Sequence, residues 1–285
     1  MAPLRVTRAR SWSDLNAKLF HGTWSRALGR HRGTLAYRGT SRVAGALETT
    51  LETLGIAGRE PHLLRNFRKF AGPVSLSRDS IWDWLALAQH HGLPTRLLDW
   101  SFSPYVALHF ATRDPVGFDR DGVVWCVDYA EAHRRLPPVL RSALKRESAE
   151  VFTTEMLASV AASPRDLDAL AGEPFLLFLD PPSLDARIVN QFALFSLMSG
   201  AGTRLRDWLE RHSGMARAVI VPASLKWEVR DRLDQINVTE RVLFPGLDGL
   251  SRWLTRYYAP RVSPRRSSRA RETSPARGAS RARRR

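Results

Sequence analysis

Residues 85–112 read LALAQHHGLPTRLLDWSFSPYVALHFAT and carry the densest set of structural signals in the chain. An apolar helical pattern ends at Gly92–Pro94, because glycine and proline stop helices. The extended apolar run Arg96–Trp100 follows. Ser103 and Pro104 then restart a helix, through a hydroxyl cap and a proline in the first turn. The stretch therefore predicts a helix–strand–helix unit with polar side chains at its joins.

The same reasoning extends to the rest of the chain. Ser80 and Asp83 have the spacing of a capping box at the start of the helix that runs into Gln89. Apolar periodicity predicts further helices over 11–20, 41–55, 61–70, 205–212 and 225–235. Extended apolar runs predict strands over 34–39, 122–129, 175–181, 186–197 and 216–224. Because strands and helices do not alternate regularly, we expect an α+β domain with a mixed, mainly antiparallel sheet flanked by helices.

Four segments describe the expected organisation. Residues 1–29 are interpreted as a helical lead-in and residues 30–260 as the α+β domain. Residues 131–170 contain helical patterns and are expected to form an insertion between strands. Residues 261–285 form a basic tail.

The tail differs sharply from the body in composition. It contains ten arginines, one glutamate and, apart from Val262, no bulky apolar residue, so it contributes +9 of the formal net charge of +16. A segment with so little to bury cannot offset its ordering entropy and is predicted to be disordered. It is either a solubilising appendage or an electrostatic contact to nucleic acid or another polyanion through counterion release.

Composition restricts the class of protein. The chain has 285 residues, of which 44% are hydrophobic, which is ample for a folded core. It contains no apolar run of 18 residues, so no membrane-spanning helix is expected. The single cysteine, Cys126, is predicted to lie in a buried strand and cannot form an internal disulfide or a cysteine zinc site. A reducing cytoplasm is the expected location.

The paired histidines at the end of the predicted helix are the first candidates for chemistry. His90 and His91 point about 100° apart on a helix, and their spacing matches no metal-ligand pattern, so no metal site is expected. One imidazole could contact a ligand. A positive charge at a helix C-terminus is equally favourable for structural reasons alone.

Other polar residues stand in apolar surroundings. Arg96 and Asp99 lie three positions apart on the predicted strand and should face opposite sides. Asp99 either anchors the following loop or faces a ligand as a carboxylate. Arg38 offers a planar set of donors for phosphate or carboxylate, Gly39 allows close approach to the backbone, and Gln191 needs partners if it is buried. Residue patterns alone leave these alternatives open.

Several segments together resemble the FRG domain family. The aromatic-Arg-Gly tripeptide is Tyr37-Arg38-Gly39, and residues 88–111 resemble the family's long central motif almost throughout. Residues 187–197 (RIVNQFALFSL) and 236–254 (INVTERVLFPGLDGLSRWL) resemble two later motifs. The resemblance extends over roughly residues 30–257.

This chain departs from the family pattern at five positions. Tyr37 stands in place of Phe, Ser101 and Ser196 in place of Thr, Ala193 in place of Gly, and Gly246 in place of Asp.

The order of the motifs is similar to that of ADP-ribosyltransferases, and this implies a split mixed sheet that holds NAD. The resemblance places Arg38 on the first strand, Asp99-Trp100-Ser101 on the second and Gln191 on the third. It implies that Arg38 contacts the pyrophosphate and that the Gly39 backbone holds the nicotinamide amide. Trp100 or Tyr37 would stack on the ring. Gln191 is a neutral amide at the position where those enzymes have a catalytic glutamate, so Asp99 or another carboxylate would have to replace it.

Two functions follow from this resemblance. One is an ADP-ribosyltransferase-like or NAD-cleaving enzyme with a possible toxin or defence role. The other is a module that binds a nucleotide or a nucleic-acid end without chemistry. The expected catalytic residues are Arg38, His91, Asp99 and Gln191. The expected ligand-binding residues are Tyr37, Arg38, Gly39, Gln89, His90, Thr95, Arg96, Trp100 and Ser101. We expect Arg38, residues 89–91, Arg96, Asp99 and Gln191 to meet in one cleft. The sequence makes no prediction of the oligomeric state.

Overall fold

A seven-stranded sheet organises the protein, in a computed structural model that describes residues 4–72, 79–200 and 202–261. Its strands are β1 (Arg5–Arg8), β4 (Leu35–Thr40), β5 (Leu97–Ser101), β6 (Gly122–Asp128), β7 (Leu176–Leu179), β8 (Ala193–Met198) and β9 (Ala216–Val221). A separate small hairpin is formed by β2 (Trp24–Ser25) and β3 (Arg30–His31).

The strand order in the large sheet is β1-β9-β6-β4-β5-β8-β7. Only β1 and β9 run parallel, and every other neighbouring pair is antiparallel. The predicted α+β fold with a mixed, mainly antiparallel sheet is therefore confirmed. Cys126 lies buried in β6, as predicted.

Fourteen α-helices are assigned within the described residues. In the first half of the chain these are α1 (Trp12–Leu19), α2 (Thr50–Thr53), α3 (Glu60–Phe70), α4 (Ile81–His90), α5 (Pro104–Ala111), α6 (Tyr129–His133) and α7 (Pro138–Arg146). In the second half they are α8 (Thr154–Val160), α9 (Pro164–Asp168), α10 (Ala186–Asn190), α11 (Leu205–Arg211), α12 (Lys226–Gln235), α13 (Glu240–Leu243) and α14 (Leu247–Tyr258).

Three hydrophobic clusters cover the two faces of the sheet. On one face, α1, α5 and α12 pack on the half of the sheet that contains β4, β6 and β9. On the same face, α4, α7 and α8 pack on the other half, which contains β5, β7 and β8. The opposite face is covered by a single cluster that crosses both halves and includes α6 and α11. One face therefore carries two separate helical layers, with a boundary between β4 and β5.

Local signals account for the helix–strand–helix unit at this boundary. The Ser80 side chain accepts from the Asp83 backbone N–H, and the Asp83 side chain accepts from the Ser80 backbone N–H. Helix α4 therefore begins with the predicted capping box. Ser103 caps α5 and Pro104 occupies its first turn. Strand β5 between the two helices begins at Leu97.

The helix predicted over 41–55 is wrong except for its last turn. Gly45 adopts a φ of 68°, a left-handed conformation that interrupts a right-handed helix. The chain becomes helical only at α2, where Thr49 and Glu52 form a capping box. The apolar spacing was misleading because Val43 and Leu54 are exposed.

The strand predicted over 186–197 is also wrong in its first half. Asp185 accepts hydrogen bonds from the backbone N–H groups of Arg187 and Ile188 and so begins α10. The left-handed Phe192, with a φ of 46°, turns the chain from this helix into β8.

The N-terminal segment contains more than the expected helical lead-in. Strand β1 adds an edge to the sheet through its parallel pairing with β9, and β2 follows α1. Helices α6 to α9 occupy the region between β6 and β7. The tail prediction concerns residues that, from 262 onward, lie outside the described part of the chain. None of the described helices has the length and apolar character needed to cross a bilayer.

Candidate functional site

The sheet opens between β4 and β5. These two strands share a single residue pair, Tyr37 with Ser101, whereas β4 pairs with β6 along its whole length and β5 does so with β8. Beyond Tyr37 and Ser101 the two strands diverge, so the backbone groups on their facing edges have no ladder partners. The gap between them becomes a cleft that is floored by the sheet and walled by α5 and α10.

The cleft has a volume of about 330 Å³, which lies at the lower end of the range for small-molecule sites. Its lining residues come from β4, β5, β8 and the three helices beside them. They are Tyr37, Arg38, Gly39, Thr40, Ser41, His90, Asp99, Trp100, Ser101, Val106, Ala107, Phe110, Arg113, Arg187, Ile188, Gln191, Ala193 and Phe195.

Arg38 bridges the gap in the sheet. Its Nη1 donates to the carbonyl of Asp99 at 2.7 Å, and its Nε donates to the carbonyl of Ala46 at 2.8 Å. Burial lowers the pKa of Arg38 from its usual 12.5, and attraction by Asp99 opposes that change. The guanidinium thus replaces a missing backbone donor and joins the two halves of the sheet.

The cleft has an excess of positive charge. Arg38, Arg113 and Arg187 all line it, whereas Asp99 is the one carboxylate among the described lining residues. Arg113 is exposed, and its guanidinium lies 6.0 Å from the Phe110 ring centroid. This charge balance suits an anionic ligand.

Arg187 is held at the rim by several contacts. Its Nη1 donates to the His90 carbonyl at 3.3 Å, and its guanidinium lies 5.3 Å from the Phe244 ring centroid. Its buried Nε has no hydrogen-bond partner among the described residues. Sequence reasoning missed Arg113 and Arg187 as cleft residues, although Arg187 is the first residue of the RIVNQ motif and Arg113 lies two residues after the end of the central motif.

Asp99 is positioned by a chain of polar groups. Thr95 Oγ1 accepts from the Leu97 backbone N–H and donates its own proton to Gln89 Oε1 at 2.6 Å. This contact orients the Gln89 amide so that its Nε2 donates to Asp99 Oδ2 at 3.0 Å. The chain fixes the Asp99 carboxylate and leaves it exposed to the cleft. Thr95 and Gln89 therefore act behind Asp99.

Gln191 follows α10 and is tied to neighbouring backbone. Its side-chain Nε2 donates to the Leu243 carbonyl at 2.8 Å, and its backbone carbonyl accepts from Ser101 Oγ at 2.7 Å. The amide thus anchors α13 beside the cleft. Ser101 also accepts from the Ser103 backbone N–H, so its hydroxyl is fully engaged.

The two histidines have different surroundings. His90 lines the cleft, and its Nε2 lies 2.8 Å from Asp185 Oδ2. Burial acts to raise the pKa of Asp185, but hydrogen bonds from the Ile188 backbone N–H and from His90 outweigh it, so that the pKa is lowered. His91 is exposed and does not line the cleft. Their rings pack edge to face, with centroids 5.2 Å apart. Among the described residues, no group of three or more His, Cys, Asp or Glu side chains could hold a metal ion.

Other expected ligand residues carry out structural roles. Tyr37 is 3% exposed and donates through its hydroxyl to the Leu19 carbonyl. Trp100 is 4% exposed, bonds Ser196 Oγ through Nε1 and packs against Phe178. These two rings belong to the core on opposite faces of the sheet, so neither is free to stack on a ligand.

Gly39 lines the cleft and also allows a helix to approach the strand closely. A Cβ atom at this position would lie 1.6 Å from the Ala107 carbonyl oxygen, so the glycine lets α5 pack directly on β4.

Arg96 does not reach the cleft. It donates to Glu60 through both its backbone N–H and its Nε, and its Nη1 donates to both carboxylate oxygens of Asp168. The expected cleft therefore brings together Arg38, His90, Asp99 and Gln191, with Gln89 behind Asp99. It does not include Arg96 or His91.

Comparison with known proteins supports one family. Residues 33–120 match the family model described as the FRG domain. This segment contains β4, the capped helix α4, β5 and α5, and so forms the main walls of the cleft. The later motifs at 187–197 and 236–254 lie outside the matched segment. Neither the curated proteins nor the solved structures compared with the chain gave a match.

Proposed function

The chain carries an FRG domain, and from this premise we propose that its cleft binds NAD and cleaves the nicotinamide–ribose bond in an ADP-ribosyltransferase-like reaction. The observation that carries the proposal is the geometry at the sheet opening. There, one positioned carboxylate, Asp99, lies among three arginines in a cleft of ligand size.

The arginines would hold the pyrophosphate of the dinucleotide. Arg113 has no ion pair within the described residues, and Arg187 keeps an unpaired buried Nε. Each charge-assisted hydrogen bond to a phosphate contributes about 1.5–3 kcal/mol. Arg38 adds its positive charge, although two of its N–H groups are already bound to backbone carbonyls.

Asp99 would supply the negative charge that the reaction needs. When the bond between ribose C1′ and the nicotinamide nitrogen breaks, its electron pair leaves with the nicotinamide and positive charge develops on the ribose. A fixed carboxylate stabilises such charge without reorganising. Water or an acceptor nucleophile then bonds to C1′ and releases a proton. Gln89 and Thr95 hold the carboxylate in place throughout.

A second candidate function, nucleotide binding without chemistry, is favoured by Gln191. The resemblance expects a catalytic glutamate at this position, and the amide present here is committed to the Leu243 carbonyl. If Asp99 does not stabilise the developing charge, the same arginines form an anion-binding pocket alone.

The test is incubation of the purified full chain with NAD, with free nicotinamide measured by chromatography. It is run alone and with RNA, DNA or lysate protein as acceptor. NAD binding is measured in parallel by calorimetry for the wild type and for the Arg113→Gln/Arg187→Gln double variant, with Arg141→Gln/Arg165→Gln as a control that loses the same charge at exposed positions outside the cleft.

We expect nicotinamide release by the wild type and NAD binding at least about tenfold weaker in the double variant. Binding without release under any condition would support the second candidate. The absence of both binding and release would refute the assignment of the cleft.

A further inference from the structure

A basic hairpin, defined as residues 21–33 (HGTWSRALGRHRG), projects between α1 and β4. It contains three arginines and two histidines. The sequence from residue 15 to residue 47 contains no acidic residue, so the nearest carboxylates along the chain are Asp14 and Glu48. The cleft does not use this segment.

The base of the basic hairpin is firmly built. Arg217 on β9 donates through Nη2 to the His21 carbonyl at 2.7 Å. The buried Thr23 hydroxyl lies 2.9 Å from His31 Nδ1. A Cβ on Gly33 would lie 2.8 Å from the Thr23 Cα, so glycine is required where the two arms meet. The side chains farther out are therefore displayed by a defined structure.

The displayed side chains combine aromatic and cationic groups. Trp24 is 54% exposed and packs edge to face with His31, with ring centroids 5.0 Å apart. Arg26, Arg30 and Arg32 are exposed, and within the described part of the chain none of them makes a side-chain hydrogen bond or an ion pair.

The two types of side chain lie on different faces. Trp24 pairs across the hairpin with His31, and Ser25 pairs with Arg30. Because side chains alternate along a strand, the aromatic pair occupies one face and Arg30 the other.

We propose that the basic hairpin binds single-stranded nucleic acid. Arginine forms bidentate contacts with phosphates, and exposed aromatic rings stack on unpaired bases. The hairpin offers both groups within a few residues and has no acidic side chain to oppose them. A membrane surface fits less well, because Trp24 and Leu28 alone provide large exposed apolar groups, and interfacial anchors need a broader apolar face.

The surface is separate from the cleft. The basic hairpin leads into the start of β4, whereas Gly39 and Thr40 line the cleft at the other end of that strand. Six residues of extended chain span roughly 20 Å. Binding of nucleic acid at the hairpin is therefore independent of whether the cleft cleaves NAD.

The test is fluorescence anisotropy of labelled 15-nucleotide single-stranded RNA and DNA with the full chain at several salt concentrations. The Arg26→Gln/Arg30→Gln/Arg32→Gln variant is compared with a control that loses the same charge elsewhere, Arg59→Gln/Arg141→Gln/Arg204→Gln. Both triple variants keep residues 261–285, so the contribution of the tail is common to them. Thermal melting verifies that each variant is folded.

We expect the hairpin variant to bind at least about tenfold more weakly than the control variant, with a salt slope reduced by about two to three. Trp24→Ala should weaken binding about fivefold or more without changing the salt slope. Equal losses in the two triple variants would overturn the proposal, and so would binding to phosphatidylserine vesicles without binding to either oligonucleotide.

Discussion

Arg38 has a different role in the structure from the one that the sequence predicted. The resemblance assigned it to ligand phosphate, and the structure places it in the cleft. However, its Nε and Nη1 hold the carbonyls of Ala46 and Asp99. It is therefore a structural residue first, and its substitution will not report on ligand binding alone.

We predict that Arg38→Met lowers the free energy of unfolding by about 1–3 kcal/mol, because two hydrogen bonds from a charged donor are lost. Urea denaturation of the wild type and the variant measures this. Arg113→Met, which removes a cleft arginine with no such backbone contacts, should remain within about 0.5 kcal/mol of the wild type. Equal stability of Arg38→Met and wild type would show that Arg38 does not join the sheet.

Single residues could be predicted only where position alone determines the environment. Residue patterns singled out Asp99 and His90 as polar groups in apolar surroundings but left their roles open, and only the family resemblance placed them at a site. Tyr37, Trp100 and Arg96 were placed with the ligand because the sequence does not show which sheet face a side chain takes. Nor does it show that Glu60 and Asp168, which are distant in sequence, hold Arg96.

At the scale of elements, the wall of the cleft depends on the close packing of α5 on β4. Gly39 permits this packing because its missing side chain leaves room for the Ala107 carbonyl. Gly39 of the Tyr37-Arg38-Gly39 tripeptide and Ala107 of the central motif thus together determine how closely helix and strand approach.

We predict that Gly39→Ala destabilises the protein by more than about 3 kcal/mol or prevents soluble expression, since backbone must move to accept the new Cβ. Gly58→Ala is the matched control, because a Cβ there meets no atom within 4 Å. Thermal melting and soluble yield are the measurements. Similar melting temperatures for the two variants would refute the packing argument.

His133 links α6 to β7 and is expected to make stability depend on pH. Its Nε2 accepts from the Phe178 backbone N–H, and its Nδ1 donates to the Glu150 carbonyl, so only the neutral ring fits. Burial lowers its pKa from 6.5 to about 4. Below pH 6.5 the unfolded chain binds a proton that the folded chain does not, so this contribution to stability is lost as pH falls from 6.5 towards 4.

We predict that the wild type loses roughly 2 kcal/mol more than His133→Asn between pH 7 and pH 5, measured by urea denaturation at each pH. Asp180 acts in the opposite direction in part of this range, since burial raises its pKa to about 6. It is common to both proteins and cancels in the comparison. Parallel pH profiles would contradict the role given to His133.

Elements with strong local signals were predicted well, and elements determined by tertiary contacts were not. The capping box of α4 and the Ser-Pro start of α5 depend on neighbouring residues and were correct. The segment before α2 had helical periodicity, but Gly45 and the bond from Arg38 to the Ala46 carbonyl hold it in another conformation. Strand β1 is short and mostly exposed, so its pattern gave no signal.

At the scale of the whole molecule, the opening in the sheet determines where a ligand can bind. The hydrophobic layer that packs on one face of the sheet is continuous across it. On the other face the packed layer is divided into two clusters. The α+β class and the mainly antiparallel sheet could be predicted from element order. The position of the cleft came only from the family resemblance, because strand pairing between residues 37 and 101 leaves no trace in local pattern.

A buried network of ion pairs joins helices α12, α13 and α14. Glu240 accepts from Arg230 and Arg256, and Arg256 also pairs with Asp234. These contacts lower the pKa of Glu240 to about 2 despite burial, so it remains charged at neutral pH. The network positions α13, whose Leu243 carbonyl holds Gln191 at the cleft.

The proposed role of Asp99 as the carboxylate that serves the chemistry of the cleft is tested most directly by the initial rate of nicotinamide release by Asp99→Asn at saturating NAD. Asp231→Asn, an exposed acidic residue on α12, is the control. We predict a rate at least about 100-fold below the wild type, with the Kd for NAD changed less than about threefold, because the isosteric amide keeps the shape and loses the charge. A rate within about threefold of the wild type would contradict the account.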